Sequence, residues 1–297
     1  MKKINTTLLI VSSIIAFVIF LTSVAGIIYY TQFKGEKARR EVSVDLPGNN
    51  KETERKIKEL EDRLKDIEQE HGLTKDQISA VVELWCPDDN YDINGFLSMG
   101  SGTIVSDQGI IFTNRHVISN EDWSIIESSP TCYVGITEDI SQPSTFMYMA
   151  DLLAYSPQTD DFFDFDIAVL YIYDVCYDCP NAPGFLPDKF PFLELGYSSN
   201  MAPGDYVAIV GYPEIGAGTW NFTDGIISGR VGSFVLKTDA KIDSGNSGGA
   251  ALNAKNQLIG IPTWTITGQA ESIGYIIEID DVYDWFEKEV LPLVEEE

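Results

Sequence analysis

At 297 residues, 44% of them hydrophobic, the chain is long enough for one large or two modest domains beside any targeting segment. Its net charge of −26 is unevenly spread: residues 1–78 hold 13 Lys/Arg against 12 Asp/Glu, and residues 79–297 hold 7 against 34. So acidic a surface repels phosphate backbones, which excludes nucleic acid as a partner; it reads as colloidal solubility or habitat adaptation before it reads as attraction of cationic substrates.

The first predicted element is a membrane span. Lys2 and Lys3 precede an uncharged apolar run from Leu8 to Tyr30, about 23 residues, enough to cross a hydrocarbon core as a helix. Ser23 and Ala25 offer a small-x-small cleavage pattern, but the apolar run continues through Ile27, Ile28, Tyr29 and Tyr30, which favours an uncleaved anchor over 1–33. Lys34, Lys37, Arg39 and Arg40 follow the span, so loop charge does not set the orientation. A spacer over 34–77 comes next. Asp45–Asn50 reads as a flexible joint, and Ile57, Leu60, Leu64 and Ile67 lie on one face of a charged helix over 51–70. That pattern suits a stalk, with self-association through a short coiled coil as the alternative. His71 falls in the charged stretch EQEHGLTKD and is expected on a solvated helix end.

From residue 78 to 290 the chain reads as β-rich. Apolar, β-branched runs recur at Ile78–Leu84, Gly102–Val105, Ile110–Phe112, Cys132–Ile136, Ile167–Ile172, Tyr206–Val210, Gly225–Ile227, Ser233–Leu236, Gln257–Ile261 and Ile273–Ile279, punctuated by Gly, Pro, Asn and Asp. Without alternating long helices, a parallel α/β sheet is disfavoured. The fold class is therefore all-β: two antiparallel six-stranded-type barrels joined near Cys179–Pro191. A closing helix over Asp280–Val290 presents Val282, Trp285, Phe286 and Val290 on one face, and 291–297 forms an acidic tail. Asp88, Asn90 and Asp92 faintly match a calcium loop, but Ile93 and Met99 stand where glycine and a bidentate acid are needed, so a surface turn is preferred. Four cysteines, Cys86, Cys132, Cys176 and Cys179, allow three pairings; the Cys176–Cys179 spacing also fits half a zinc site or a redox pair, and zinc is disfavoured for want of a second CxxC. No cofactor is called for.

The chemistry is carried by three short stretches. GNSGG, Gly245–Gly249, centres Ser247 in a turn whose N–H groups can converge on one small space, as an acyl-transfer nucleophile and its oxyanion require. His116, in GIIFTNRHVIS, follows an apolar strand and is the candidate base; a satisfied strand-end histidine is its bland alternative. Asp166 opens the apolar run in FDFDIAVLYI and is preferred as the orienting acid over Asp160, Asp161 and Asp164. GNSGG also fits the GxSxG elbow of esterases. However, an α/β-hydrolase places serine before histidine on a strand–turn–helix, and here histidine comes first.

In the order TNRHV, DIAVL and GNSGG, with GSGTIVSDQGIIFTNRHV, TDGIISGRVG and TDAKIDSGNSGGAALNAKNQLIGI as flanks, residues 79–290 resemble the chymotrypsin-fold serine proteases, and among them the HtrA-type branch. The resemblance implies a Ser-His-Asp endopeptidase acting on polypeptides. HtrA-type proteases usually carry one or two PDZ domains after the protease domain, and here the expectation departs from the family: too little sequence follows Phe286 for one. Its oxyanion segment is Gly245, Asn246 and Ser247, with the N–H groups of Gly245 and Ser247 as donors. Asn246, uncharged where trypsin-like zymogens carry an aspartate, argues against activation by a newly cut N-terminus. The resemblance draws the substrate pocket from Lys241, Ile242, Gly260, Ile261, Pro262 and Thr263. Lys241 could select an acidic residue before the scissile bond, yet a solvent-facing lysine is the favoured reading. Glutamyl endopeptidases, similar around the nucleophile, carry a histidine where this chain has Pro262. A small aliphatic preference is expected instead. The implied setting is an envelope or cell-surface protease on a membrane anchor, with a silent or latent binding module on the same fold as the alternative.

Overall fold

Residues 72–87, 96–120, 122–129, 131–159, 163–214, 218–267 and 272–292 are described by a computed structural model of the chain. The expected span, the spacer helix over 51–70, His71, Asp160, Asp161 and the turn over 88–92 lie outside the described residues. Among those described, no helix is long and apolar enough to cross a membrane.

Among the described residues, twelve strands close into two barrels. In the first, β1 (Val81–Pro87), β2 (Phe96–Ile104), β3 (Ile110–Thr113), β4 (Cys132–Ile136), β5 (Thr145–Tyr155) and β6 (Ala168–Val175) pair antiparallel in the order β1-β2-β3-β6-β5-β4. In the second, β7 (Tyr206–Gly211), β8 (Asn221–Val231), β9 (Val235–Thr238), β10 (Ala250–Leu252), β11 (Leu258–Thr267) and β12 (Ser272–Glu278) repeat that order as β7-β8-β9-β12-β11-β10. Closure removes free sheet edges, so strands as short as three residues can be held.

Each of the ten apolar runs meets a strand along part or all of its length, but two strands lay hidden. β5, TFMYMADLLAY, carries Met, Ala and Leu where a strand signal wants branched residues, and β10 is only Ala-Ala-Leu. Their pairing is tertiary: β10 is held between β7 and β11, and β5 between β4 and β6. The strand expected from Ile78 starts instead at Val81. Lys75–Ser79 form one helical turn, α1, because Thr74 Oγ1 accepts the Gln77 N–H (3.2 Å) while Gln77 Oε1 accepts the Thr74 N–H (3.0 Å).

One apolar cluster fills the first barrel around Leu84, Ile104, Ile111, Leu170 and Ile172. A second draws on both barrels, joining Phe112, Ile167 and Val169 to Val210, Leu258 and Ile277. The closing helix α2 (Ile279–Trp285), continued by a wider turn over Phe286–Val290, seals this seam. Val282 and Val290 are fully buried there, and Phe286 meets Phe112 edge-on at 5.4 Å between centroids. The four cysteines form two disulfides, Cys86–Cys132 from β1 to the start of β4, and Cys176–Cys179 just after β6. The local pairing of Cys176 with Cys179 leaves neither thiol of that spacing for a metal.

Candidate functional site

His116 owes its position to a tight turn. After β3, Arg115–Ile118 wind into one 3-10 turn that buries Val117 and Ile118 and leaves the imidazole at the surface of a cleft. Gly100 permits this approach: a Cβ there would lie 2.8 Å from both Val117 methyls.

Asp166, 3% exposed, stands two residues before β6. Its Oδ1 accepts the His116 backbone N–H (3.0 Å), and its Oδ2 lies 2.5 Å from His116 Nδ1. A third donor comes from the other barrel: Thr263 Oγ1 reaches Oδ2 at 3.1 Å. Asn114 Nδ2 fixes the Asp166 backbone carbonyl at 2.8 Å. Burial by itself would raise the Asp166 carboxyl, but the hydrogen bonds and charge of His116, with the charge of Arg115, hold it below the usual aspartate value. An ionised Asp166 keeps the imidazole proton on Nδ1 and leaves Nε2 free to accept. Asp164, the nearby competitor, is committed elsewhere: it pairs with the Arg115 guanidinium and accepts from Thr159.

Ser247 comes from the β9–β10 loop. The glycines around it answer to steric need. Gly245 (φ 93°) and Gly248 (φ 82°) are left-handed, and a Cβ on Gly248 would lie 2.1 Å from the Ser101 carbonyl oxygen. The loop is stitched to the first barrel: Ser101 Oγ donates to the Gly245 carbonyl (2.6 Å), and the Ser101 N–H donates to the Ser247 carbonyl (2.9 Å). The Asn246 N–H is used within the loop, on the Asp243 carbonyl at 3.0 Å, so that of the three expected oxyanion residues it is the one whose N–H is already engaged. Asn246 itself is 3% exposed, and its Oδ1 has no partner among the described residues.

Among the described residues, no hydrogen bond joins the Ser247 hydroxyl to the imidazole. It donates to the Thr263 carbonyl at 3.1 Å. Thr263 therefore touches both halves of the site, the acid through its hydroxyl and the nucleophile candidate through its carbonyl. That double role was missed in the sequence, where Thr263 was only a pocket wall; a threonine on a strand carries no mark of what its two oxygens meet.

The other expected pocket residues divide. Ile242, Gly260 and Ile261 are buried in the core, where a Cβ on Gly260 would meet Ile276 at 2.4 Å. The Pro262 carbonyl accepts the Gly248 N–H (3.1 Å), steadying the loop. Lys241 is exposed and is held through its backbone, the carbonyl accepting Thr223 Oγ1 at 2.7 Å. A cleft of about 370 Å³ opens beside His116, bordered by Trp123, Gln158, Thr159, Thr263 and Trp264.

This fold and this meeting of residues define a class. Residues 100–261 match the model of the trypsin-like peptidase domain, and the chain belongs to that family. It is similar to the "Probable periplasmic serine endoprotease DegP-like" of Brucella suis, 30% identical over 190 residues, covering 62% of this chain and 31% of the relative. It is also similar to serine protease HTRA1A of Danio rerio (29% over 198 residues, 63% of this chain and 33% of the relative) and serine protease HTRA3 of Rattus norvegicus (29% over 219 residues, 68% and 39%). The chain thus spans about a third of the length of the first of these relatives.

Proposed function

We propose that the chain is a serine endopeptidase in which Ser247 is the nucleophile, His116 the general base and acid, and Asp166 the group that orients and charges against the imidazole. The observation that carries this reading is Thr263, which ties Asp166 and Ser247 into one constellation through bonds of 3.1 Å each. Rotation of the Ser247 side chain away from the Thr263 carbonyl brings its hydroxyl to Nε2. The oxygen then attacks the scissile carbonyl as the imidazole takes its proton. Negative charge on the former carbonyl oxygen is met by the N–H groups of Gly245 and Ser247. The C–N bond breaks as His116 returns the proton to the leaving amine. Water, deprotonated by the same imidazole, then hydrolyses the acyl-enzyme.

The protease relatives support polypeptide substrates and, through the periplasmic one, an extracytoplasmic peptidase domain. The uncharged apolar run over 8–30 supports a membrane anchor, and with it a part in envelope protein quality control or processing. The hydroxyl's resting bond to Thr263 favours a second reading within the same fold, a latent peptidase whose nucleophile turns only when a substrate N–H takes the Thr263 carbonyl. A fluorophosphonate probe tests both readings. The full chain should label at Ser247, Ser247→Ala should not, and a latent enzyme should label faster in the presence of a peptide ligand. No Ser247-dependent labelling or cleavage under any condition would remove the peptidase reading.

A further inference from the structure

The cleft beside His116 reaches Ser247 through Thr263. A second pocket, about 440 Å³, reaches it through Gly245 and Gly100, and is walled by Glu83, Trp85, Met99 and Glu214. The family resemblance sets the residue before the scissile bond against the Lys241–Ser244 and Gly260–Thr263 segments. An extended peptide crossing Ser247 from there lays its next residues over Gly245 and Gly100. The second pocket therefore lies on the side of the leaving group.

Its chemistry is one-sided. Glu83, mid-strand in β1, is 7% exposed, an unusual place for a carboxylate. It accepts the Trp85 Nε1–H at 3.0 Å and the Ser144 hydroxyl. A carboxylate offers about four acceptor sites, so those two donors leave capacity for more. Burial holds this carboxyl above the usual glutamate value, against the opposing pull of the bonds from Ser144 and Trp85. Glu214 stands exposed at the rim, its backbone fixed by an N–H donated to the Ser244 carbonyl at 2.9 Å. Among the described residues, no lysine or arginine lines the pocket. Four of the seven bases in residues 79–297 are paired elsewhere, as Arg115–Asp164, Lys189–Asp107, Arg230–Glu278 and Lys288–Asp284. The Trp85 indole and the half-exposed Met99 supply apolar surface for an aliphatic stem beneath a cationic head.

We propose that this pocket is a leaving-group-side subsite for a lysine or arginine side chain, so that the chain favours polypeptides with a basic residue at the first or second position after the scissile bond. The inference rests on the peptidase reading above. Quenched fluorescent peptides differing only in Lys, Ala or Glu at those positions test it on the full chain. Turnover (kcat/KM) should be about tenfold higher for Lys than for Ala and lower again for Glu, with the spread shrinking as salt rises. Glu214→Gln and Glu83→Gln should each narrow the Lys-to-Glu ratio severalfold; if Glu83→Gln does not fold, the rim variant Glu214→Gln decides. Equal turnover of all three peptides overturns the subsite and leaves the peptidase reading intact. Absence of any Ser247-dependent cleavage overturns the peptidase reading instead. In that case calorimetry of the Lys and Glu peptides on the full-length Ser247→Ala variant decides the pocket: about tenfold tighter binding of Lys supports it, and equal affinity overturns it.

Discussion

The two barrels share a strand order but bring unlike halves to the site. The first barrel's half is finished: His116 and Asp166 lie 2.5 Å apart, and Asp166 also receives the His116 backbone N–H. The second barrel's half is a loop of left-handed glycines whose hydroxyl rests on a carbonyl. An acid–base pair can be preformed, because the imidazole Nδ1–H and the backbone N–H of His116 satisfy the buried carboxylate with charge-assisted hydrogen bonds. The uncharged Ser247 hydroxyl has no such attraction to hold it and rests on a neutral acceptor. Thr263 is that acceptor, and its hydroxyl on Asp166 makes the second barrel a keeper of the first barrel's pair.

The sharpest way to break this comparison is to remove the second half alone. Ser247→Ala should lower kcat by about six orders of magnitude, with thermal stability kept within a few degrees, as read by peptide hydrolysis and calorimetry. Removing the charge from the first half should cost less: Asp166→Asn is expected to reduce kcat by about 10⁴ near neutral pH, because the imidazole then loses both its tautomer control and its counter-charge. A substitution that moves the loop without touching any proposed catalytic side chain separates the halves. Gly248→Ala, which drives a Cβ to 2.1 Å from the Ser101 carbonyl, should cut fluorophosphonate labelling about 100-fold, while a downfield Nδ1 proton resonance from the His116–Asp166 pair persists. Loss of that resonance together with labelling would mean the halves are not independent.

The bridge between them gives smaller effects. Thr263→Val keeps the carbonyl but deletes the donor to Asp166, and kcat should fall about ten- to a hundredfold with KM little changed, the worth of one hydrogen bond to a charged acceptor. The pH dependence of stability is the mildest test. Asp166 has its folded value held below its unfolded one, so its stabilisation is complete above the unfolded value of about 4 and is lost as pH falls through the folded one. Thermal denaturation of the native chain and Asp166→Asn should therefore differ above about pH 4 and converge by a few degrees below it.

Much of this was legible before any coordinates. The barrel class, ten strands and the closing helix follow from apolar runs and turn residues, since local composition records which side chains must be buried. His116, Asp166 and Ser247 were legible for another reason: each sits where a run of apolar residues meets a polar turn, and their chain order excluded the rival hydrolase fold. β5 and β10 were not legible, because their residues are strand only by virtue of the neighbours that hold them. The choice of Asp166 over Asp164 became physical only when Arg115 was seen to hold the latter.

By itself, then, the sequence determined the β class and pointed to the three side chains proposed for the chemistry, because steric and solvation preferences are written residue by residue. Tertiary structure alone decided the cysteine pairing, the double contact of Thr263, the resting direction of the Ser247 hydroxyl and the meeting of Glu83 with Glu214 beside Gly245. Each of these joins residues far apart in the chain, and its energy depends on a distance that no local pattern encodes.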